Sequence, residues 1–362
     1  MVDIWLRFVP LDLWSSVQVV VLGFIGGVLS GFIGSGGAFF MTPGMMNIGV
    51  PGEIAVASNI THKFGKAMIG ATRHGEMGHV DKKLAIFMLL TAAAGISLAA
   101  WLMKLCGVAG EGEGHGAGAN LYISIVFVVV LCVVSVSMLR DIVRSRKDAE
   151  IKPSAKIVDF LNRLRLYPVI DFPVADVRVS LWIILICGLA TGYLAGTIGV
   201  GGFIGVPTMI YVFGVPAQVA AGTELFLAQF MGAWGAMNYG IQGMVDLRLV
   251  ALLYLGSLVG IHLGAYGTKV VREVIIRLVT ASIILLCVVS RAINIPVYLR
   301  QLGYMDFDPG LDRYFNLASK VLLYASGICG TLIILVYVFK AYWQRRKTHA
   351  TLVAGTKDVQ PA

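Results

Sequence analysis

Charge is scarce in this chain, and its scarcity excludes a soluble fold. Only 14% of the 362 residues are charged, 57% are hydrophobic and the mean hydropathy is +0.82, more apolar surface than one aqueous domain can bury. Cysteine is sparse too. Cys106, Cys132, Cys187, Cys287 and Cys329 show no paired or CxxC spacing, which argues against disulfides and a thiolate metal centre. The chain has no HExxH, P-loop, nucleotide-binding fingerprint, nucleophile elbow or clustered His/Asp set, so no catalytic residues, cofactor or metal are expected. The net charge of +9 does not point to nucleic acid, because the basic residues lie between apolar runs instead of forming a groove or stacking platform.

What remains is hydrophobic length. Apolar segments able to cross about 30 Å of hydrocarbon occur near residues 14–33, 54–72, 84–103, 121–139, 181–198, 217–238, 249–266, 274–290 and 318–339. The expected fold is therefore an all-α polytopic membrane protein. The first segment follows Asp3, Arg7 and Asp12 with no small-residue cleavage signal and reads as a retained helix. The organisation is a first membrane repeat over 14–139, a cytoplasmic basic linker over 140–178, a second repeat over 181–290, an additional membrane segment over 318–340 and a basic tail over 341–362. Arg73, His74, His79, Lys82 and Lys83 between the second and third segments fit an N-terminus inside. The same count strands Lys269, Arg272 and the basic tail outside. Either one counted segment is re-entrant or a broken segment crosses completely, and parallel or inverted repeats both stay open.

The two blocks are copies. Across Gly23 to Asp81, at least thirteen positions recur without gaps at an offset of 165 residues, among them Gly23, Gly27, Gly31, Gly34, Gly36, Gly37, Gly49, Val50 and Pro51. Gly27 to Gly31 and Gly192 to Gly196 are small-xxx-small faces suited to close helix contact. The pairs Gly36-Gly37 and Gly201-Gly202, followed by Pro43 and Pro207, point instead to broken, re-entrant segments whose unpaired backbone groups cannot face lipid. A short helix beginning at each pair would aim its N–H groups and positive dipole end into a shared cavity, an arrangement that attracts an anion.

Polar residues follow each break. Ser58 and Asn59 align with Thr223 and Glu224, placing a hydroxyl beside a longer polar group in each copy. Lys63 is an intramembrane ammonium and Glu224 is the only acid between Pro216 and Asp246, so the two are expected around one aqueous cavity. The candidate site comprises Ser35, Gly36, Gly37, Ser58, Asn59, Lys63, Gly201, Gly202, Thr223 and Glu224, with His62 and Glu224 as candidates for proton coupling.

With these motifs in hand, the chain resembles the TauE/SafE family of sulfite exporters and anion permeases, over about residues 15–290. The resemblance rests on Gly31-Phe32-Ile33-Gly34-Ser35-Gly36-Gly37 with Pro43, on Gly196 to Pro207, and on Gly-Val-Pro in each copy. It implies duplicated helical units in the cytoplasmic (inner) membrane and transport of sulfite, sulfate, sulfoacetate or a related small sulfur oxyanion, with membrane lipid as surroundings. Proton coupling and homo-oligomerisation are compatible with it. A secondary transporter or permease is the favoured reading, with a passive anion channel or a membrane receptor or assembly protein as alternatives.

Overall fold

A computed structural model describes residues 9–33, 37–108, 116–145, 167–199, 201–271 and 273–355. Its helices are α1 (Leu13–Ile33), α2 (Ala38–Ile48), α3 (Gly52–Glu76), α4 (Lys82–Val108), α5 (Ala117–Ser145), α6 (Leu181–Ile198), α7 (Gly202–Tyr211), α8 (Ala217–Ile241), α9 (Leu247–Val270), α10 (Glu273–Gln301) and α11 (Gly310–Gly355). The described part is an all-α polytopic architecture with one small exception. Strands β1 (Val169–Phe172) and β2 (Val177–Ser180) form an antiparallel hairpin pairing Val169 with Ser180 and Phe172 with Val177. This segment falls partly within the linker expectation, where alternating Val177, Val179 and neighbours favour extended chain over a bare connection.

Seven of the described helices, α1, α4, α5, α6, α9, α10 and α11, are long and apolar enough to cross a membrane. Each of the nine expected segments falls within a helix, but α3 and α8 are not among the seven. Both have 25 residues, about 37 Å at 1.5 Å per residue, and α3 carries Glu53, His62, Lys63 and Lys66. Helices α2 and α7, with 11 and 10 residues, reach only about half of a bilayer core.

Close backbone approach sets the packing. Gly23, Gly27 and Gly31 of α1 lie against Leu253, Ser257 and Ile261 of α9, so these two helices run parallel. Gly188, Gly192 and Gly196 of α6 meet Met88, Ala92 and Ile96 of α4 in the same sense, at positions offset by 165. Between these layers α3 and α8 cross antiparallel, with Gly235 against Ile60, Gly232 against Phe64 and Gly222 against His74. A Cβ at most of these positions would collide with backbone, which explains stripes of glycine where lipid gives no hydrophobic drive to helix association.

Helix α2 folds back along α1: Gly44 abuts Leu22, and Met41 and Gly37 abut Gly26. It thus returns to the face from which α1 started, where Val9, Pro10 and Ser15 share a 420 Å³ cavity with Gly49, Pro51 and Ile54. Gly49 and Gly214 make the turns after α2 and α7 at φ 102° and 79°, a region open to glycine at little cost.

Aspartates fasten both faces. Asp246 caps α9 through the amide of Arg248 (2.9 Å) and accepts from Val9 N (3.1 Å). Asp81 accepts from Leu84 N (2.9 Å) in α4 and from Ala175 N (3.1 Å) in the hairpin. Asp12 caps α1 through Ser15, and those hydrogen bonds hold its carboxyl below the usual carboxylate range.

The glycine contacts are testable. Gly27→Val should cost about 1–3 kcal/mol or more through overpacking against Ser257 and lower the detergent melting temperature, whereas Gly75→Ala, with open space around it, should change it little. Equal melting of both variants would contradict this packing.

Candidate functional site

The polar centre is built where α3 and α8 cross beneath the start of α7. Lys63 Nζ lies 3.8 Å from Glu224 Oε1, with side-chain exposures of 14% and 3%. Both face the beginning of α7. A Cβ on Gly201 would sit 2.7 Å from Lys63 Nζ and 3.3 Å from Glu224 Oε1, and one on Gly205 would strike Glu224 Oε2. Only glycine lets the chain come this near. The Ile204 and Gly205 amides donate to the Gly201 carbonyl (3.1 and 3.0 Å), and the start of α7 at Gly202 carries the positive end of the helix dipole.

A second polar group adjoins the pair. Asn59 Nδ2 donates to the Ala38 carbonyl (3.0 Å) and to Thr42 Oγ1 (2.7 Å), and Thr42 donates to the Ile198 carbonyl (3.0 Å). Gly199, at φ 78°, would bring a Cβ within 3.1 Å of Asn59 Nδ2 and 3.2 Å of Thr42 Oγ1. The end of α6, the starts of α2 and α7, and the middles of α3 and α8 therefore meet at one place.

Several buried acceptors there are unused. Neither oxygen of Glu224 accepts a hydrogen bond, nor does Asn59 Oδ1. At 3.8 Å the Lys63–Glu224 contact is an ion pair longer than a hydrogen bond. Native proteins leave few buried polar atoms unpaired, and here three gather in one cluster. Lys66, one turn beyond Lys63 on the same face of α3, has no carboxylate partner among the described residues.

The remaining candidates occupy different positions. His62, 1% exposed, turns towards α9, where its Nε2 meets Ser257 Oγ at 2.7 Å and its ring lies 4.6 Å from that of Tyr254. Ser58 Oγ accepts from Asp246 N (3.3 Å), and Thr223 Oγ1 accepts from Asp81 N (2.9 Å). These two hydroxyls link the central helices to the capped starts of α9 and α4. Gly37 packs against the Gly26 carbonyl of α1, one residue before the carbonyl that receives Asn59. Ser35 and Gly36 lie outside the described residues. Among the described residues no three His, Cys, Asp or Glu side chains gather as metal ligands.

Thr42, Gly199 and Gly205 were missed as site residues. Two had a signal, Thr42 as a lone hydroxyl in an apolar half-helix and Gly199 as the counterpart of Gly34, whereas Gly205 aligns with Phe40 and lies outside the duplicated identities.

Comparison with known proteins agrees with this architecture. The model of the family described as Sulfite exporter TauE/SafE matches residues 19–291. The "Probable membrane transporter protein YjnA" of Bacillus subtilis (strain 168) is 26% identical over 272 residues, covering 75% of this chain and 97% of that protein. A second relative from the same organism, "Probable membrane transporter protein YdhB", is 21% identical over 262 residues, covering 72% and 93%. No solved structure matches the chain.

Removing one member of a buried ion pair typically costs about 3–5 kcal/mol, because the partner is left as a lone buried charge. Lys63→Met should therefore lower the melting temperature of purified protein markedly, and Lys63→Met combined with Glu224→Gln should recover most of the loss. A single variant that melts with the wild type, or a double variant no better than the single, would contradict the pairing.

Proposed function

Because this chain belongs to the sulfite exporter TauE/SafE family of membrane transporters for small anions, we propose that it is a secondary permease carrying a sulfur oxyanion such as sulfite, sulfate or sulfoacetate through one central site. The observation that carries this reading is the buried Lys63–Glu224 pair set against the start of α7. An oxyanion there takes charge from Lys63, N–H donors from the Gly201–Gly202 turn, and a hydrogen bond from the Asn59 amide once that side chain turns from α2. Gly37 stands at the start of α2, and the expected parts of Ser35 and Gly36 fall outside the described residues. Ser58 and Thr223 serve the site from behind, since each sits next to a lining residue and holds the amide of a capping aspartate.

Charge accounting supplies the coupling. Lys63 and Lys66 carry two positive charges and Glu224 one negative, so an anion is attracted while Glu224 repels it at short range. A proton on Glu224 removes the repulsion and turns the carboxyl into a donor for the substrate, so anion and proton bind together. His62, bonded to Ser257 in α9, is a second station for that proton.

Helix directions support inverted repeats, α1–α5 and α6–α10, with α11 outside the duplication. Because α2 and α7 turn back, each half crosses an odd number of times. Residues 9–12 and the linker then fall on opposite faces. Lys82, Lys83, Arg140, Arg178 and Lys340 share the linker face, whereas Lys104, Arg248, Arg300 and Arg313 lie with Asp12, Glu53, Asp246, Asp306 and Asp308 on the other. The positive-inside rule makes the linker face cytoplasmic. This reverses the N-terminus-inside expectation and brings Lys269 and the end of α11 inside, a distribution that favours the bacterial cytoplasmic membrane.

Two measurements test the proposal. In proteoliposomes, Lys63→Met should cut uptake of labelled sulfite at least about tenfold, roughly 1.4 kcal/mol, while Glu224→Gln should keep sulfite exchange but lose stimulation by a proton gradient. Wild-type flux and gradient dependence in both would overturn the site, and gradient-independent wild-type flux would indicate a passive channel. In intact cells, a membrane-impermeant maleimide should label a cysteine replacing Asp306 and spare one replacing Arg178. The opposite pattern would invert the orientation.

A further inference from the structure

We propose that Arg291 is the cationic centre of a second, enclosed anion site, fitted to a single halide-sized monovalent ion, where α2, α10 and α11 meet. Arg291 lies within α10 and is 0% exposed, one of the largest fully buried side chains in the protein. Its Nη2 donates to Tyr298 OH at 2.6 Å, and its Nη1 reaches Asn47 Oδ1 at 3.4 Å. Around them, Ser290 Oγ donates to the Ser319 carbonyl at 2.7 Å, and Ser319 Oγ donates to Asn47 Oδ1 at 3.3 Å. Asn294 Nδ2 donates to Asn47 Oδ1 at 3.2 Å, and with its amide turned over its oxygen accepts from Arg291 Nη2 at 3.2 Å while its nitrogen donates to the Phe315 carbonyl at 3.3 Å.

Every one of these partners is neutral. Among the described residues no carboxylate pairs with Arg291, and Asp312, further along the α10–α11 junction, is engaged by Arg300. A buried guanidinium without a counter-charge is strongly disfavoured. The C-terminal end of α2, one residue beyond Asn47, offers about half an elementary charge at most. Two donors also lack an acceptor, Arg291 Nε and Asn47 Nδ2, and they belong to groups already in contact through Nη1 and Oδ1. An anion meets both deficits at once. Water would supply an acceptor but no charge.

Enclosure sets the ligand class. Ser290 and Ser319 are 0% exposed and Asn294 is 2% exposed, and Arg291 Nε and Asn47 Nδ2 are the nitrogens there without an acceptor. A spherical halide suits that geometry, whereas a sulfur oxyanion has several acceptors and needs more donors. The site is independent of the central one: the corresponding position in the first half is Val126, and α11 lies outside the repeat. A bound ion would clamp α2, whose first turn receives Asn59, to α10 and α11.

The test is thermal unfolding of the purified full chain in detergent, dialysed into gluconate and titrated with chloride or bromide without transport substrate. Halide should raise the wild-type melting temperature saturably by about 2–4 °C. Arg291→Met should abolish the rise, and Lys63→Met should retain it, which separates this site from the central one. Should Arg291→Met not fold, anomalous scattering from bromide in wild-type crystals should give a peak beside Arg291 Nε. A wild-type melting temperature indifferent to halide, a full rise in folded Arg291→Met, loss of the rise in Lys63→Met, or no bromide at Arg291 would overturn the proposal.

Discussion

Backbone groups in lipid have no water to bond to, so any break in a membrane helix must be wrapped by other helices, and the wrapping has to be tight enough to exclude the acyl chains. Here that requirement falls on glycine. The Gly23-Gly27-Gly31 stripe brings α1 onto α9, and Gly188-Gly192-Gly196 brings α6 onto α4, close enough that a methyl group would collide with the neighbouring chain at most of these positions. The starts of α2 and α7 are thereby enclosed together with the crossing of α3 and α8. Without those approaches the short helices would have no interior to occupy.

Enclosure also makes charge expensive, and the polar centre carries only as much as it can balance or use. Lys63 and Glu224 offset each other across 3.8 Å, but the carboxylate is left without a hydrogen bond. A fully satisfied pair would bind nothing further. On the proposed reading, this half-satisfied pair beside the positive end of a helix is where a substrate anion exchanges with the carboxylate. The links from Ser58 to Asp246 and from Thr223 to Asp81 extend this centre to the two ends of the molecule, where the aspartates hold residue Val9 and the 167–180 hairpin. A shift of α3 or α8 on binding would therefore be felt at both faces.

Much of this was legible in the chain because the duplication is ungapped. The 165-residue offset that aligns Gly36 with Gly201 also relates the bounds of α3 and α8, Gly52 to Ala217 and Glu76 to Ile241. The nearness of Lys63 and Glu224 followed from the cost of a lone charge in a span. What was not legible depended on direction. His62 and Lys63 are neighbours in sequence, yet about 100° of helical rotation separates them, and His62 meets Ser257 of α9 while Lys63 meets Glu224 of α8. The sidedness of the N-terminus turned on whether α2 crosses or turns back, which composition does not reveal. Arg291 lies one residue beyond the expected 274–290 segment, whereas α10 continues to Gln301 with the guanidinium buried.

The central claim is that a single oxyanion binds between Lys63, Glu224 and the first turn of α7. Selenite has the charge and pyramidal shape of sulfite and scatters anomalously. Crystals of the wild-type protein soaked in selenite should show an anomalous peak within hydrogen-bonding distance of Lys63 Nζ and the Gly202 amide, and crystals of Lys63→Met should lack it. A selenium peak elsewhere in the protein, or one at this position that survives the loss of Lys63, would contradict the account.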